Sequence, residues 1–561
     1  MLNAVTKFLK KHLFILTVVA VGVFFFFVYS WLFINTGVGF TSPDETANHF
    51  FATRFADTTE LGFTEPLNET INDDVVHPRS TSVVNGKTVP ATFLGMPLLY
   101  GSIAKIFGNS VIVYLTPFFA MVGVVFFYLL IKEVFSKRNA FISALLLFTL
   151  PPFWLYSARG MFHNVLFISL FIIGIYFLVK VLKNEITPHL RNLYFAAGGL
   201  SIGISLTVRT SEIIWVAVSV LVLFIIFRRK ISWTHILITF VMVIITFIPV
   251  MYFNNQLYGT LFSSVYSQAS TDGPVSVAAS QSLLASVGKA FLPFGINFQR
   301  VGTTASQYLI QIFPWISLLT IVGVIWLLRA SVFPFLKKHF PINYFSSEKV
   351  SSIYKGYLAI YLLIVMWLLL YYGSFEFYEF SDKTKIILGS SYLRYWLPIY
   401  IFCIPFISLG IFWVGGLFKK QRIKDVVIVS LVVLLLYFSI HTVVSDPLYG
   451  LAETKVNTQR SLAHKEKALA VTEPESVIIS GHADKIFFPD RRVIVELPVG
   501  REERVELLGQ LLSQVPVYLY FNPIDKGNVE IFKELEENNY VLEEMMRFEG
   551  TDSILFGISR Y

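Results

Sequence analysis

Residues 13–34 read LFILTVVAVGVFFFFVYSWLFI, an unbroken apolar stretch that follows Lys7, Lys10 and Lys11. A helix needs roughly 17–25 apolar residues to cross the hydrocarbon part of a bilayer. The apolar core of a cleavable signal peptide has only about 7–15 residues, with a small-residue cleavage site behind it. No such site follows here, so the stretch predicts an uncleaved membrane-spanning helix.

The rest of the chain repeats this pattern. Of its 561 residues, 55% are hydrophobic and only 15% are charged, whereas a soluble domain carries about 25% charge. Further apolar runs lie at residues 110–131, 140–158, 161–179, 193–208, 213–227, 235–253, 307–328, 357–373, 395–415 and 425–444. The predicted fold class is therefore an α-helical polytopic membrane protein with about eleven transmembrane helices.

Loops rich in Lys and Arg indicate the orientation of these spans. They follow alternate runs, at residues 132–138, 180–191, 228–230, 329–356 and 419–425. Because basic loops stay in the cytoplasm, we expect a cytoplasmic N-terminus and a C-terminal segment on the outer side. The single cysteine and the lack of an ER-retention tail favour the plasma membrane of a prokaryote.

The C-terminal segment has a different composition. Residues 446–561 contain 13 Lys and Arg against 20 Asp and Glu, although the whole chain carries +8. A basic membrane part with an acidic appendage does not indicate a nucleic-acid partner. Strand-like patterns at residues 476–481, 491–497, 515–522 and 553–559 alternate with helix-like patterns at 501–513 and 528–539, which predicts a small α/β domain. We therefore divide the chain into a membrane domain, 1–445, with a first outer loop at about 35–109, and an extracytoplasmic domain, 446–561.

The stretch TSPDETANHFFATRFAD, residues 41–57, opens the first outer loop. One interpretation is structural: Ser42 caps a helix, and Glu45 completes a capping box. The other is chemical, because a carboxylate held just above the bilayer is placed to deprotonate an acceptor hydroxyl or to bind a divalent cation. Asp44 and Glu45 are the candidate catalytic residues.

Two more candidates lie later in the same loop, in VVHPRS at residues 75–80. Arg79 offers a planar fork that suits phosphate, although a surface ion pair with Asp73 or Asp74 is the preferred interpretation. His77 is a candidate accessory residue, but most lone histidines are structural.

Charged residues also lie at the ends of two predicted helical hairpins. Arg159 and His163 lie in SARGMFHN, residues 157–164, where they either anchor the membrane interface or serve the site. Arg209 and Glu212 separate two short apolar runs. Ionisable residues within the membrane mark functional sites more often than surface ones do, yet these two can also simply pair with each other.

The last candidates lie near SSYLRYWLPIY, residues 390–400. Arg394 is flanked by aromatic residues that are typical of a membrane-interface belt. Alternatively, Arg394 binds a lipid phosphate, with Lys383 contributing from just upstream.

The chain resembles the GT-C superfamily of glycosyltransferases, most closely the branch that uses polyprenyl-phosphate sugars and includes protein O-mannosyltransferases and aminoarabinose transferases. The resemblance rests on TSPDETANHFFATRFA (41–56), HPRS (77–80) with PATFLGMPLLYG (90–101), and LRYWLPIY (393–400). In architecture it covers about residues 1–445.

The resemblance implies an inverting transfer of a sugar from a polyprenyl-phosphate donor to a hydroxyl of a protein, lipid or glycan outside the membrane. Asp44 takes the acidic role. Arg394 contacts the donor phosphate, helped by Arg209, Arg159 or Arg79. Many members carry a second acidic residue in the next outer loop, where this chain has RGMFHN. Whether the site holds a Mg²⁺ or Mn²⁺ ion is left undecided by the resemblance, and Asp44 is the best candidate ligand.

Two other functions fit part of the pattern. A transporter or flippase of a lipid-linked sugar shares the spans and the recessed arginine, but it has no need of a long acidic outer loop, and transporters often contain internal repeats. A receptor or scaffold built around the C-terminal domain would tolerate loss of both Asp44 and Arg394.

Overall fold

A computed structural model describes residues 2–34, 36–262, 294–332, 352–377, 385–495, 502–522 and 529–561. Among the described residues up to Ser445, the regular secondary structure is helical apart from one small sheet. The helices there are α1 (Leu2–Ser30), α2 (Pro43–Thr58), α3 (Pro66–Ile71), α4 (Gly95–Phe107), α5 (Ile112–Val134), α6 (Lys137–Thr149), α7 (Pro151–Ala158), α8 (His163–Lys183), α9 (Pro188–Val208), α10 (Ile213–Ile226), α11 (Trp233–Tyr258), α12 (Phe298–Ala305), α13 (Pro314–Val332), α14 (Ser352–Gly373), α15 (Ser391–Tyr395), α16 (Leu397–Gly416) and α17 (Gln421–Ser445).

The helices confirm a polytopic membrane protein. Within the described residues, seven helices are long and apolar enough to cross a membrane, or up to ten when each of three bent pairs counts as one span. Every predicted apolar run falls on one of these helices or pairs. The sequence-based count of about eleven treats the two arms of the α9–α10 pair, bent by 118°, as separate spans.

The first loop, between α1 and α5, folds around α2. Helix α2 packs on α4 at Gly101, where a Cβ atom would come 2.6 Å from the carbonyl oxygen of Ala52. A larger residue at that position would push the two helices apart. The loop also holds an antiparallel sheet that the sequence analysis did not predict, ordered β1 (Phe63–Thr64), β3 (Lys87–Pro90), β2 (Thr81–Val84).

The C-terminal residues form the predicted α/β domain. Its helices are α18 (Leu451–Val471), α19 (Asp484–Phe487), α20 (Glu502–Gln514) and α21 (Val529–Glu537). Its sheet has the order β5 (Arg492–Ile494), β4 (Val477–Ile479), β6 (Val517–Phe521), β8 (Ile554–Arg560), β7 (Tyr540–Arg547). The first three strands are parallel and the last two pair antiparallel. Strand β7 is the one that the sequence analysis missed.

The first loop and the C-terminal domain are joined by specific contacts. Val76 makes a β-bridge to Ile494, and the side chains of Leu67 and Ile71 belong to the apolar core of the domain. Glu65 pairs with Arg492 at 2.8 Å. The domain is therefore held against the loop that carries Asp44.

Candidate active site

Asp44 and Arg394, which are 350 residues apart in sequence, meet at one ion pair. Arg394 Nη1 donates to Asp44 Oδ2 over 3.0 Å, and Ser80 Oγ donates to Asp44 Oδ1 over 2.6 Å. The side chains of Asp44 and Arg394 are 35% and 17% exposed. Asp44 lies in the first turn of α2, where the helix dipole favours a negative charge. The pair is therefore held by two hydrogen bonds and remains partly accessible from outside the protein.

The surroundings of Asp44 favour its ionised form. Burial raises the pKa of the Asp44 carboxyl, but the charge of Arg394 and the hydrogen bonds from Ser80 and Arg394 lower it by more. The pKa therefore lies below the ordinary value for aspartate. At neutral pH the carboxylate is charged and can accept a proton once Arg394 turns to another anion.

Glu45 faces a different arginine. Its Oε2 accepts from Arg159 Nη2 at 2.9 Å, and the same Nη2 donates to Thr41 Oγ1 at 2.9 Å. Only 3% of the Glu45 side chain and 9% of the Arg159 side chain are exposed. The capping box is not formed, because Ser42 makes no side-chain cap hydrogen bond. Glu45 is thus part of a buried ion pair that packs α2 against the end of α7.

We expect Glu45→Gln to lower the stability of the folded protein. Removing one partner of a buried ion pair leaves the other charge uncompensated and typically costs about 3–5 kcal/mol. Thermal unfolding of the detergent-solubilised protein should show a clearly lower midpoint. The control is Glu60→Gln, which removes an exposed carboxylate that pairs with Arg54 and should leave the midpoint almost unchanged. Equal midpoints for the two variants would contradict the buried pair.

Aromatic rings connect the predicted arginines to one another. The guanidinium groups of Arg159 and Arg394 lie over the Phe162 ring, 4.8 Å and 5.0 Å from its centroid. Arg394 and Arg209 both lie over the Tyr395 ring, at 4.9 Å and 5.0 Å. Cation–π contacts of this kind stabilise desolvated cations. Three arginines from distant parts of the sequence are thereby gathered at one place.

Arg209 belongs to a buried hydrogen-bond network at the α9–α10 bend. It pairs with Glu212 at 2.7 Å and donates to Tyr372 Oη at 2.9 Å. Glu212 also accepts from Trp215 Nε1 at 2.6 Å. The two residues do pair with each other, as the structural interpretation predicted, and the network fixes Arg209 beside Tyr395.

His163 packs beside α2 through Asn48. The buried Asn48 Nδ2 donates to the carbonyl oxygen of Met161 at 2.8 Å and lies 3.5 Å from His163 Nδ1. His163 Nε2 lies 3.2 Å from the carbonyl oxygen of Phe93. The network therefore assigns the Nε2–H tautomer, in which the ring serves as a structural link next to Asp44.

Two candidates from the first loop have other partners. The expected ion pair of Arg79 with Asp73 or Asp74 is wrong, because Arg79 pairs with Asp484 of the C-terminal domain at 2.6 Å. His77 contacts Pro78 and Thr81 of its own turn. Lys383 lies outside the described residues.

The donor set around Asp44 does not fit a divalent metal. Both Asp44 oxygens accept hydrogen bonds from Ser80 and Arg394, and the neighbouring carboxylate, Glu45, is held by Arg159. No group of three or more His, Cys, Asp or Glu side chains in the described part of the chain is placed to hold a metal ion. Mg²⁺ prefers several oxygen ligands and water rather than an arginine neighbour.

A polar cavity of about 410 Å³ opens next to α15, the short helix that carries Arg394. Ser390 and Tyr392, on either side of the start of α15, line it together with Arg300, Gln307 and Lys385. Its polar lining contrasts with the apolar surface of the spans. The cavity provides room for a polar group beside α15, although neither Asp44 nor Arg394 lines it.

Sequence reasoning missed the residues that connect these side chains. Ser80 was seen only as part of a motif, and Phe162 and Tyr395 were interpreted as interface aromatics or not considered. Asp484 lies in a domain without a recognisable catalytic motif. A usable signal was the position of Phe162 and Tyr395 within three residues of a candidate arginine.

Comparisons with known proteins bear on the family and the fold of the chain. Residues 94–253 match the profile of the family described as dolichyl-phosphate-mannose-protein mannosyltransferase. No curated protein matches the chain in sequence.

Among solved structures, the chain is similar to apo ArnT from Cupriavidus metallidurans, with 11% identity, a TM-score of 0.53 and 98% of each chain covered. It is also similar to the apo oligosaccharyltransferase of Archaeoglobus fulgidus, with 14% identity, a TM-score of 0.52, and 98% of this chain and 75% of that chain covered. At these identities the likeness concerns the fold. The chain thus shares the fold of ArnT and of the archaeal oligosaccharyltransferase, and its residues 94–253 are similar to the mannosyltransferase family.

Proposed function

We propose that the protein transfers a sugar from a polyprenyl-phosphate donor to an acceptor hydroxyl, with inversion, on the outer side of the plasma membrane. The donor's lipid tail lies among the spans, and the acceptor is a protein, lipid or glycan. The N-terminus is cytoplasmic and the C-terminal domain is extracytoplasmic, as the basic loops indicate.

The observation that carries this proposal is the Asp44–Arg394 pair. The reaction needs a base beside the acceptor hydroxyl and a cation beside the donor phosphate, on either side of the anomeric carbon. Asp44 and Arg394 lie next to each other, 3.0 Å apart, and both are partly exposed. In addition, Arg394 Nε has no hydrogen-bond acceptor among the described residues. An unsatisfied guanidinium N–H is destabilising in itself and would be satisfied by a phosphate oxygen after a small side-chain shift.

The reaction needs one proton transfer and one exchange of bonds. The acceptor oxygen attacks the anomeric carbon from the face opposite the phosphate, and its proton passes to the Asp44 carboxylate. The bond between the anomeric carbon and the phosphate oxygen breaks, and its electron pair stays on the phosphate. Arg394 stabilises that charge, with Arg209 close by through the shared Tyr395 ring.

Donor binding also changes the basicity of Asp44. When the donor phosphate draws Arg394 away, Asp44 loses the charge that keeps its pKa low. Its pKa then rises towards the ordinary aspartate value, which makes it a better base at the moment when the acceptor is present. The pair therefore couples donor binding to activation of the base.

The test is a transfer assay in membranes that contain the protein, using a panel of polyprenyl-phosphate sugars and candidate acceptors. We expect release of polyprenyl phosphate together with a product whose anomeric configuration, read by NMR, is opposite to that of the donor. Membranes with Asp44→Asn serve as the control. A product with retained configuration, or lipid movement across the membrane without transfer, would refute the proposal.

We expect transfer activity to survive chelation. Arg394 already neutralises the Asp44 carboxylate, and the proposed proton transfer and bond exchange use no metal ion. EDTA at millimolar concentration should therefore leave kcat within about twofold of the untreated enzyme. The measurement is initial rate before and after EDTA, with Mg²⁺ and Mn²⁺ added back. A large loss that either ion restores would return Asp44 to the role of metal ligand.

A further inference from the structure

Asp484 of the C-terminal domain forms hydrogen bonds and an ion pair with Arg79 of the first loop. The Asp484 side chain is fully buried. Its Oδ2 accepts from the backbone N–H of Arg79 at 2.8 Å, and its Oδ1 accepts from Arg79 Nε at 3.0 Å and Nη2 at 2.6 Å. Arg79 Nη2 also donates to the carbonyl oxygen of His482 at 2.7 Å. Both the backbone and the side chain of Arg79 are thus fixed from another domain.

The next residue, Ser80, has an unusual backbone conformation. Its φ is +61°, in the left-handed region, which costs free energy for a residue with a side chain. Contacts on both sides hold it there: Asp484 binds the N–H of Arg79, and Ala91 N–H donates to the Ser80 carbonyl oxygen at 3.0 Å. In this conformation Ser80 Oγ reaches Asp44 Oδ1 at 2.6 Å.

We propose that Asp484 is a positioning residue for sugar transfer: it fixes Arg79 so that the Ser80 hydroxyl orients the Asp44 carboxylate. This inference rests on the proposed function, in which Asp44 is the base. It assigns the C-terminal domain a part in the active site, since the side chain that sets the position of Ser80 comes from that domain.

The expected effect is a loss of rate without a loss of donor binding. In the Asp484→Asn variant the Arg79 guanidinium no longer faces a full negative charge. The backbone at Ser80 can then leave its left-handed conformation, and the hydrogen bond from Ser80 to Asp44 is lost. A hydrogen bond to a charged group is worth enough to predict a loss of about 10- to 100-fold in kcat. The KM for the donor should stay within about twofold, because Arg394 is untouched.

A second ion pair across the same interface provides the matched control. Glu65 of the first loop pairs with Arg492 of the C-terminal domain, but neither residue leads to Ser80. Glu65→Gln removes one charge from the same interface and should leave kcat within about twofold. An equal loss of kcat in Glu65→Gln and Asp484→Asn would mean that the interface matters only for stability, and would overturn the inference.

A double-mutant cycle decides between positioning and mere structural support. If Asp484 acts through Ser80, then Asp484→Asn should cost almost nothing further in a Ser80→Ala background. Additive losses would overturn the inference. Should Asp484→Asn fail to fold, Arg79→Lys, which keeps the charge and loses the fork, takes its place in the cycle. Full activity of Asp44→Asn would refute the proposed function itself, whereas an inactive Asp44→Asn with additive losses refutes only the positioning role.

Discussion

Asp44→Asn is expected to lower kcat for sugar transfer by about 10²- to 10⁴-fold, the range that general bases contribute. Asparagine keeps the shape of the side chain and can still accept from Ser80, but it cannot take the acceptor's proton. The KM for the donor should change far less, because Arg394 remains in place. The measurement is initial rate against donor concentration, together with a thermal unfolding scan to show that the variant is folded.

The control for Asp44→Asn comes from the same helix. Asp57, near the end of α2, accepts from Asn109 at 2.9 Å in an exposed position. Asp57→Asn should retain kcat within about twofold. If Asp44→Asn were as active as this control, Asp44 could not be the base.

Arg394→Gln is expected to lower kcat/KM for the donor by about 10²- to 10³-fold, the usual cost of removing one stabilising donor from a developing negative charge. Glutamine keeps a hydrogen-bond donor but loses the positive charge and the planar fork. The kcat/KM of Arg394→Lys should lie between those of the wild type and Arg394→Gln. Lysine keeps the positive charge, but it has neither the planar fork nor the stacking on Phe162 and Tyr395. Arg547→Gln, in an exposed pair with Glu544, is the control and should have no effect.

The pH profile supplies a second readout for Arg394→Gln. In the native protein the pKa of Asp44 is depressed, so the ionised base is present above that pKa and is lost only as the pH falls through it. Without Arg394, neither its charge nor its hydrogen bond lowers the pKa of Asp44, which therefore rises. The acid limb of kcat/KM should therefore move to higher pH in the variant. An unmoved limb would mean that Arg394 does not set the charge state of Asp44.

Local patterns were enough to predict most of the fold. Each apolar run became a helix because a run of that length cannot be buried in any other way within a bilayer. Strand β7 was missed for an equally physical reason: it lies at the edge of the sheet, next to β8 alone, and its central residues are exposed. Its sequence therefore lacks the apolar alternation by which strands are recognised.

The site was predictable only in its parts. Asp44, Arg394 and Arg209 each stood out locally, as charges at a loop, at a late span and at a recessed bend. Their meeting depends on how the spans pack, which no short window of sequence records. The partners of Arg79 and Glu45 were missed for the same reason, since Asp484 and Arg159 lie 405 and 114 residues away.

The Asp44–Arg394 contact can form only after both residues have been synthesised. A chain grows at about 5–20 residues per second, so roughly 20–70 seconds separate the synthesis of Asp44 from that of its partner, 350 residues later. The contact between Asp484 and Arg79 forms later still. A nascent or truncated chain that ends before Ser391 therefore contains Asp44 without Arg394, and the ion pair forms only after the later segment has been synthesised.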